Sequence, residues 1–428
     1  MRIAFVALSA PGHLYPTTAL ARQLQSRNHD VVIISLPDAE PYVSAAGLAF
    51  LPYCESAFFS AGGSGNEIRR QLSILQGEDG VRFAIEALGR MMEAVLSSLP
   101  AALATAGADA VVLDTYQYYV ELIPMSLGLP YVHVSNALHP DYSGYTPLCV
   151  YGWPHETTPE ALARNRKGVA NHARMLKQAN AAARAYAERA GLKIDWDDLG
   201  STQSQLASIT QVPSAFDFES SHWPSQFHHT GPFHNGKGRE KVEFPWERLN
   251  GEPLIYASMG TVMSGHVDAF RTILGALTKH KDLQLVLSVG DRVDPEQIGP
   301  GPDNAIIVKR VPQLELLKRT SVCVTHAGLN TVLESLAQGV PQVAIPVTLD
   351  QPGVAARIAD KKTGVVTSLD NLTAEHLSTL LNEVLSNPTY QANARKLEKA
   401  IAEANGLSVA ADLIEESLGV SKKATDAR

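Results

Sequence analysis

Residues 1–24 read MRIAFVALSAPGHLYPTTALARQL and set the first question about this chain. An apolar run, Ile3 to Leu8, passes through a turn of small residues into helical apolar spacing, with Leu20 and Leu24 four apart. That is the strand–loop–helix unit with which a parallel, nucleotide-binding sheet begins. The loop nevertheless carries only Gly12, followed at once by His13. The G-x-G-x-x-G turn of dinucleotide sites is absent after Leu8 and again after Met259, which argues against a nicotinamide-dependent dehydrogenase.

Outward from this unit, short apolar runs alternate with helical patterns, as crossover-connected parallel strands require. The expected strands of the first half are Ile3–Leu8, Val31–Ser35, Ala110–Asp114, Tyr131–Ser135 and Leu206–Val212. Helices are expected over Val81–Thr105 and Glu160–Ala190, the second partly exposed because it is rich in Ala, Arg and Lys. Thr230–Pro253 has Gly, Pro and charge without apolar periodicity and reads as a linker. Alternation then restarts with Leu254–Met259, Leu283–Val289, Ala305–Arg310, Ser321–His326 and Val340–Pro346. Thr373–Leu418 is helical in pattern, and 421–428 reads as a frayed tail. The implied division is a domain over 1–235, a linker at 236–252, a second domain over 253–404, and a final helix and tail over 405–428.

Composition narrows the function classes. A chain of 428 residues is long for one core. A net charge of −8 argues against a nucleic-acid partner, which selects for basic surfaces. Cys54, Cys149 and Cys323 are too few and scattered for a disulfide framework or zinc site, so they read as reduced thiols in a cytoplasmic protein. No apolar run approaches the ~20 residues of a bilayer span, and the first strand is too short for a signal-peptide core.

Arg310–Gln351 carries the most chemistry. A strand ends at His326, and Ala327 and Gly328 lead into a helix whose first turn holds Asn330 and Thr331. This arrangement suits an anion, with exposed N–H groups, a glycine for close approach, and a possible charge on His326. Glu334 lies four residues after Asn330, on the same helix face, where it suits ribose hydroxyls. Asp350 and Gln351 open the following helix and offer acceptors and a donor to a polyhydroxylated group.

Taken in order, Pro312-Gln313, His326-Ala327-Gly328-Leu329-Asn330-Thr331, Glu334, Gly339-Val340-Pro341 and Asp350-Gln351 resemble the donor-binding signature of the UDP-dependent glycosyltransferases of GT-B fold. The stretches PLIYASMGT and VPQLELL resemble the bacterial branch that includes zeaxanthin, macrolide and flavonoid glycosyltransferases. The resemblance implies an α/β chain of two Rossmann-like domains facing across a cleft. It implies that His326, Gly328, Asn330 and Thr331 hold the pyrophosphate, with Ser258 and Thr261 as further contacts. Glu334, assisted by Gln313, would take the ribose, the Val311 backbone the uracil edge, and Asp350 and Gln351 the sugar hydroxyls. Plant members place Trp where this chain has Arg310; a guanidinium stacks on a base, and the choice between UDP and dTDP sugars stays open.

The same resemblance answers the first question, because in that family the residue after the first-strand glycine is the general base. His13 would take the acceptor proton, oriented by Asp114 at the end of its strand. Direct displacement would invert the anomeric centre, moving a hexose, glucose foremost, from the nucleotide-sugar donor without metal or cofactor. The acceptor would be a small phenolic, terpenoid or macrolide alcohol. Its pocket is expected from Ser56–Arg90 and Asn136–Ala173, including Phe58, Phe59, Met91, Met92, Leu138, Tyr142, Tyr145 and Trp153. The final helix, Leu407–Leu418, would pack back toward the first domain.

Plainer readings stand beside these. Asp114 and Asp350 are each candidate helix caps. His228, His229 and His234 have no standard zinc spacing and read as metal-free. Ser60–Glu67 reads as a mobile loop over the acceptor site, and Thr115–Tyr119 as core or pocket wall. A nucleotide-sugar epimerase of similar architecture is the alternative enzyme, and a binding module without catalysis the alternative class.

Overall fold

The computed structural model describes residues 1–55, 64–260 and 265–420. Its first sheet contains β1 (Arg2–Val6), β2 (Asp30–Ser35), β3 (Ala49–Pro52), β4 (Ala110–Asp114), β5 (Tyr131–Ser135), β6 (Ser208–Thr210) and β7 (Phe227–His229), ordered β3-β2-β1-β4-β5-β6-β7. The second contains β8 (Leu254–Ser258), β9 (Gln284–Ser288), β10 (Ala305–Val308), β11 (Thr320–Thr325), β12 (Gln342–Ala344) and β13 (Gly364–Val366), ordered β10-β9-β8-β11-β12-β13. All pairings are parallel, for example Ile3 with Val31 and Ala110, and Cys323 with Tyr256 and Gln342.

In each sheet the chain starts in the middle, runs outward, then returns to build the other side. The order therefore reverses between β1 and β4, and between β8 and β11. Crossover helices leave such a junction in opposite directions, and the crevice between them at the strands' carboxyl ends is where ligands bind. His13 follows β1 and Asp114 ends β4; Ser258 ends β8 and His326 follows β11. Both switch points are occupied by residues singled out from the sequence.

Every anticipated strand is present; β1, β2 and β11 begin one residue earlier than expected, and the others keep or narrow their expected limits. The additional strands β3, β7 and β13 have three or four residues each, too few to show a pattern, and β7 reads Phe-His-His. The Val81–Thr105 helix extends over Gly77–Ala106. The Glu160–Ala190 stretch is two helices, Pro159–Ala179 and Ala181–Arg189, broken at Asn180. Thr373–Leu418 is three: Ala374–Ser386, Pro388–Ala404 and Gly406–Ser417. Pro388 lacks the N–H that would continue the first, Asn387 caps the second through Thr389 N, and left-handed Asn405 (φ 47°) turns the chain into the third.

The third helix lies on the His13 helix, Pro11–Gln25. Leu407, Ala410 and Ile414 share a core with Ile3, Leu14 and Leu20, and Arg27 pairs with Asp412 (2.9 Å) and Glu415 (2.7 Å). The segment read as a linker is anchored in both halves: Phe233 is buried in the first core and Phe244 in the second. One expectation changes. Ser60–Glu67 runs into a helix, Ser64–Leu72, with 60–63 outside the described residues. Arg69 of that helix donates to Ser9 O at 2.7 Å and pairs with Asp38.

The two lobes touch through the helix Gln351–Asp360. Its Arg357, 1% exposed, donates to Asp217 Oδ1 of the first lobe at 2.7 Å, and Gly353 N donates to Cys149 O at 3.1 Å. Burial opposes Asp217's charge, yet Arg357, with His139 and His229, holds its carboxyl well below the usual range. Removing either partner would strand a buried charge, at about 3–5 kcal/mol.

Candidate active site

At the first junction Pro11 occupies the first turn of the helix, where a missing N–H is harmless, and His13 sits two residues on. His13 Nδ1 lies 2.7 Å from Asp114 Oδ2, with 16% of the imidazole and 1% of the carboxylate exposed. Asn136 Nδ2 donates to the same Oδ2 (2.9 Å) and to Thr17 Oγ1 (2.9 Å), while Tyr116 N donates to Asp114 Oδ1 (3.2 Å). Burial opposes charge on Asp114, but His13 and these donors outweigh it and lower its pKa. Burial also opposes the imidazolium of His13, and the charge and hydrogen bond of Asp114, aided by Asp350, outweigh it and raise that pKa. An ionised carboxylate only accepts, so neutral His13 carries its proton on Nδ1 and leaves Nε2 as the basic atom. Both oxygens of Asp114 serve this cluster, and none caps a helix.

At the second junction the helix Leu329–Leu336 opens at Gly328 with no side-chain cap, leaving first-turn N–H groups for a ligand. A Cβ on Gly328 would come within 2.4 Å of His326 Nε2, so only glycine lets the ring lie there. Burial lowers the His326 pKa to about 4. The expected positive charge is therefore absent at neutral pH, because no carboxylate offsets desolvation; helix N–H groups and dipole supply the anion-binding potential instead.

Ser258 is buried, its Oγ accepting from Gly260 N at 3.2 Å. Thr261 lies outside the described residues. Asn330 Nδ2 donates to Gly12 O (2.5 Å) and its Oδ1 accepts from Gln211 Nε2 (2.8 Å), which ties the two junctions together. Glu334, 2% exposed, accepts from Gln313 Nε2 at 2.7 Å and pairs with Arg239. Gln313 is steadied by Tyr256 OH (2.7 Å) and reaches Thr331 Oγ1 at 3.4 Å. Val311 packs at the edge of the Tyr256 core. Arg310 is bound to Asp291 (2.7 and 2.5 Å) and Glu240 (2.8 Å), so its guanidinium is an ion-pair partner and not a free stacking surface.

Asp350 does not cap its own helix. Its Oδ2 accepts from Leu138 N of the first lobe at 2.9 Å, and burial raises its pKa. Gln351 spends its side-chain oxygen on Val347 N (2.9 Å) and Thr348 N (3.2 Å), bracing the turn that presents Asp350. Among the acceptor-pocket expectations, Leu138 and Met92 are core, Trp153 stacks on Tyr151 at 4.0 Å, and Phe58 and Phe59 lie outside the described residues. Tyr116 stands edge-on to His13, with ring centres 6.1 Å apart.

Three participants escaped the sequence reading. Asn136 and Gln211 each stand one residue beyond a first-sheet strand, β5 and β6, so a survey of every strand end finds them. Arg239 sits in the linker without any local signal. His229 joins His139 and Asp217 in one cluster, at 2.7 and 3.0 Å from Asp217 Oδ2, but Arg357 on the other oxygen already balances the carboxylate and would repel a cation.

Residues 138–403 match the sequence model of the family described as UDP-glucoronosyl and UDP-glucosyl transferase. The chain belongs to this family. The transferase is 25% identical over 417 residues to zeaxanthin glucosyltransferase of Pantoea ananas, covering 96% of this chain and 95% of that one. It is 35% identical over 187 residues to an uncharacterized UDP-glucosyltransferase of Bacillus subtilis (strain 168); that match covers 44% of this chain and spans about half, 47%, of the relative. The crystal structure of the kitacinnamycin glycotransferase shares its fold, with a TM-score of 0.74 at 23% identity, over 97% of this chain and 99% of the other. The protein is thus a glycosyltransferase with the two parallel-sheet α/β domains of the GT-B type, and these relatives lend the epimerase alternative no support. Among its described residues no helix is long and apolar enough to cross a membrane.

Proposed function

We propose that the enzyme is a cytoplasmic, inverting hexosyltransferase that moves glucose from UDP-glucose to a hydroxyl of a small, fairly apolar acceptor. The observation that carries this reading is the His13–Asp114 pair at 2.7 Å, placed at the sheet's switch point opposite the uncapped helix at Gly328. The diphosphate would sit on the first-turn N–H groups with Ser258, Thr261, His326, Gly328, Asn330 and Thr331 around it. Glu334 and Gln313 would hold the ribose, and the Val311 backbone the base end. Asp350, braced by Gln351, would take sugar hydroxyls.

In the transfer step His13 Nε2 accepts the acceptor's hydroxyl proton as that oxygen attacks the anomeric carbon. The bond from that carbon to the β-phosphate oxygen breaks, its electron pair leaves with UDP, and configuration inverts. Asp114 holds the ring in the useful tautomer and stabilises the imidazolium that forms. The helix N-terminus stabilises charge on the departing diphosphate, so this account needs no metal. A relative named for its acceptor, the zeaxanthin glucosyltransferase, and the aromatic cluster around Tyr116 support a phenolic or terpenoid acceptor.

The test is an acceptor panel of phenols, terpenoid alcohols and macrolides with UDP- and dTDP-sugars, scored by UDP or dTDP release and product mass. A gain of one hexose, β-linked by proton coupling, is expected. An α-linked product from an α-linked donor would overturn the single-displacement mechanism.

A further inference from the structure

Three side chains of the donor signature already hold a partner from outside their own lobe. Asp350 accepts from the Leu138 backbone, Asn330 bonds Gly12 O and Gln211, and Glu334 pairs with Arg239. The third differs in kind. The first two partners come from the first-lobe sheet edge and carry no net charge, whereas Arg239 is a cation delivered by the linker.

Its delivery is built in. The preceding Gly238 has φ +76°, and a Cβ there would lie 2.6 Å from Arg22 Nη1, so the loop sits tight on the His13 helix. From that perch the Arg239 guanidinium lies 4.9 Å over the Tyr15 ring, two residues beyond His13, and reaches across to Glu334. A charge-assisted bond, backed by a ring face, is stronger than one from a neutral hydroxyl. Glu334 is 2% exposed under this cover. A ribose hydroxyl reaches it only by moving the guanidinium aside.

We propose that Arg239 sets donor affinity by holding the ribose-binding carboxylate Glu334 in the nucleotide's place, so that donor entry must displace it. The inference rests on the assignment of Glu334 to the ribose. Displacement taxes binding by the fraction of molecules in which Glu334 is free, and a nucleotide pays that tax through its diphosphate contacts. Nucleotide binding and release of Arg239 from Glu334 are then one event, while Phe244 keeps the linker seated in the second lobe.

The experiment measures UDP binding by calorimetry, and thermal unfolding with and without UDP, for the wild type, Arg239→Gln, Arg239→Lys and Glu334→Gln. Arg239→Gln should bind UDP roughly three- to tenfold more tightly. Its midpoint should fall without UDP, because Glu334 loses its counter-charge, and UDP should raise that midpoint more than in the wild type. Arg239→Lys, which keeps charge but not the fork, should fall between. Unchanged or weaker UDP binding in Arg239→Gln would overturn the proposal and make Arg239 a bystander or a nucleotide contact. Glu334→Gln separates the two levels. Weaker UDP binding there upholds the ribose assignment, whereas unchanged binding removes that assignment and this inference together.

Discussion

His13 and His326 each stand where the strand order of their sheet reverses, His13 in the first turn of the helix after β1 and His326 directly after β11. Their chemistry is opposite. His13 meets the ionised carboxylate of Asp114 at 2.7 Å, and its pKa rises despite burial. His326 is packed between two glycine turns without a carboxylate, and burial takes its pKa down to about 4. One ring holds its proton more tightly than a free imidazole, and the other stays neutral in its groove. The residue type and the local motif do not separate them; the neighbour contributed by another strand does.

The largest test of this contrast is removal of each ring. His13→Ala should lower kcat roughly 10²- to 10⁴-fold while UDP affinity stays within about twofold. His326→Ala should instead raise the donor KM roughly tenfold, with a smaller change in kcat. If both variants fail in the same parameter, the division of labour is wrong.

Asp114→Asn should reduce kcat roughly 10- to 100-fold. It should also move the acid limb of kcat/KM to lower pH. If neutral His13 is the active form, the wild-type limb should lie above the ordinary value of 6.5, because Asp114 favours the charged ring. A limb that stays in place after the substitution would show that another group titrates.

Gly328→Ala should raise the donor KM roughly tenfold by pushing His326 out of its groove, since the new Cβ would sit 2.4 Å from Nε2. Stability against pH should also separate the rings. The His13–Asp114 pair contributes stability that is complete below 6.5 and is lost as pH rises through the elevated folded value. For His326 the sign reverses: between pH 6.5 and about 4 the unfolded chain binds a proton that the folded ring refuses, so stability falls on acidification. His326→Gln should flatten that part of a midpoint-against-pH curve. The smallest effect belongs to Gly12→Ala, where the new Cβ meets nothing closer than Asn330 Nδ2 at 3.8 Å; kcat should stay within about twofold of wild type.

Local order made much of this legible. Apolar runs of strand length, the lone Gly-His of the first loop and the unbroken donor signature from Pro312 to Gln351 are features of contiguous sequence. A strand end and the helix tip after it are chain neighbours, so residues such as His326, Gly328, Asn330 and Glu334 share one site whatever the rest of the molecule does. The short edge strands β3, β7 and β13 were illegible because three or four residues cannot establish a period.

Everything that sets charge was decided by tertiary structure. Asp114 reaches His13 across 101 residues through the pairing of β4 with β1, and Arg239 reaches Glu334 across 95 through a loop seated on a helix of the opposite lobe. Asp350 meets Leu138 N across 212 residues only because the lobes dock. The sequence determined which groups exist and which strand ends carry them. Whether each is ionised, neutral or already engaged depends on desolvation and on partners brought within about 3 Å, and those are fixed by strand order and lobe contact rather than by spacing along the chain.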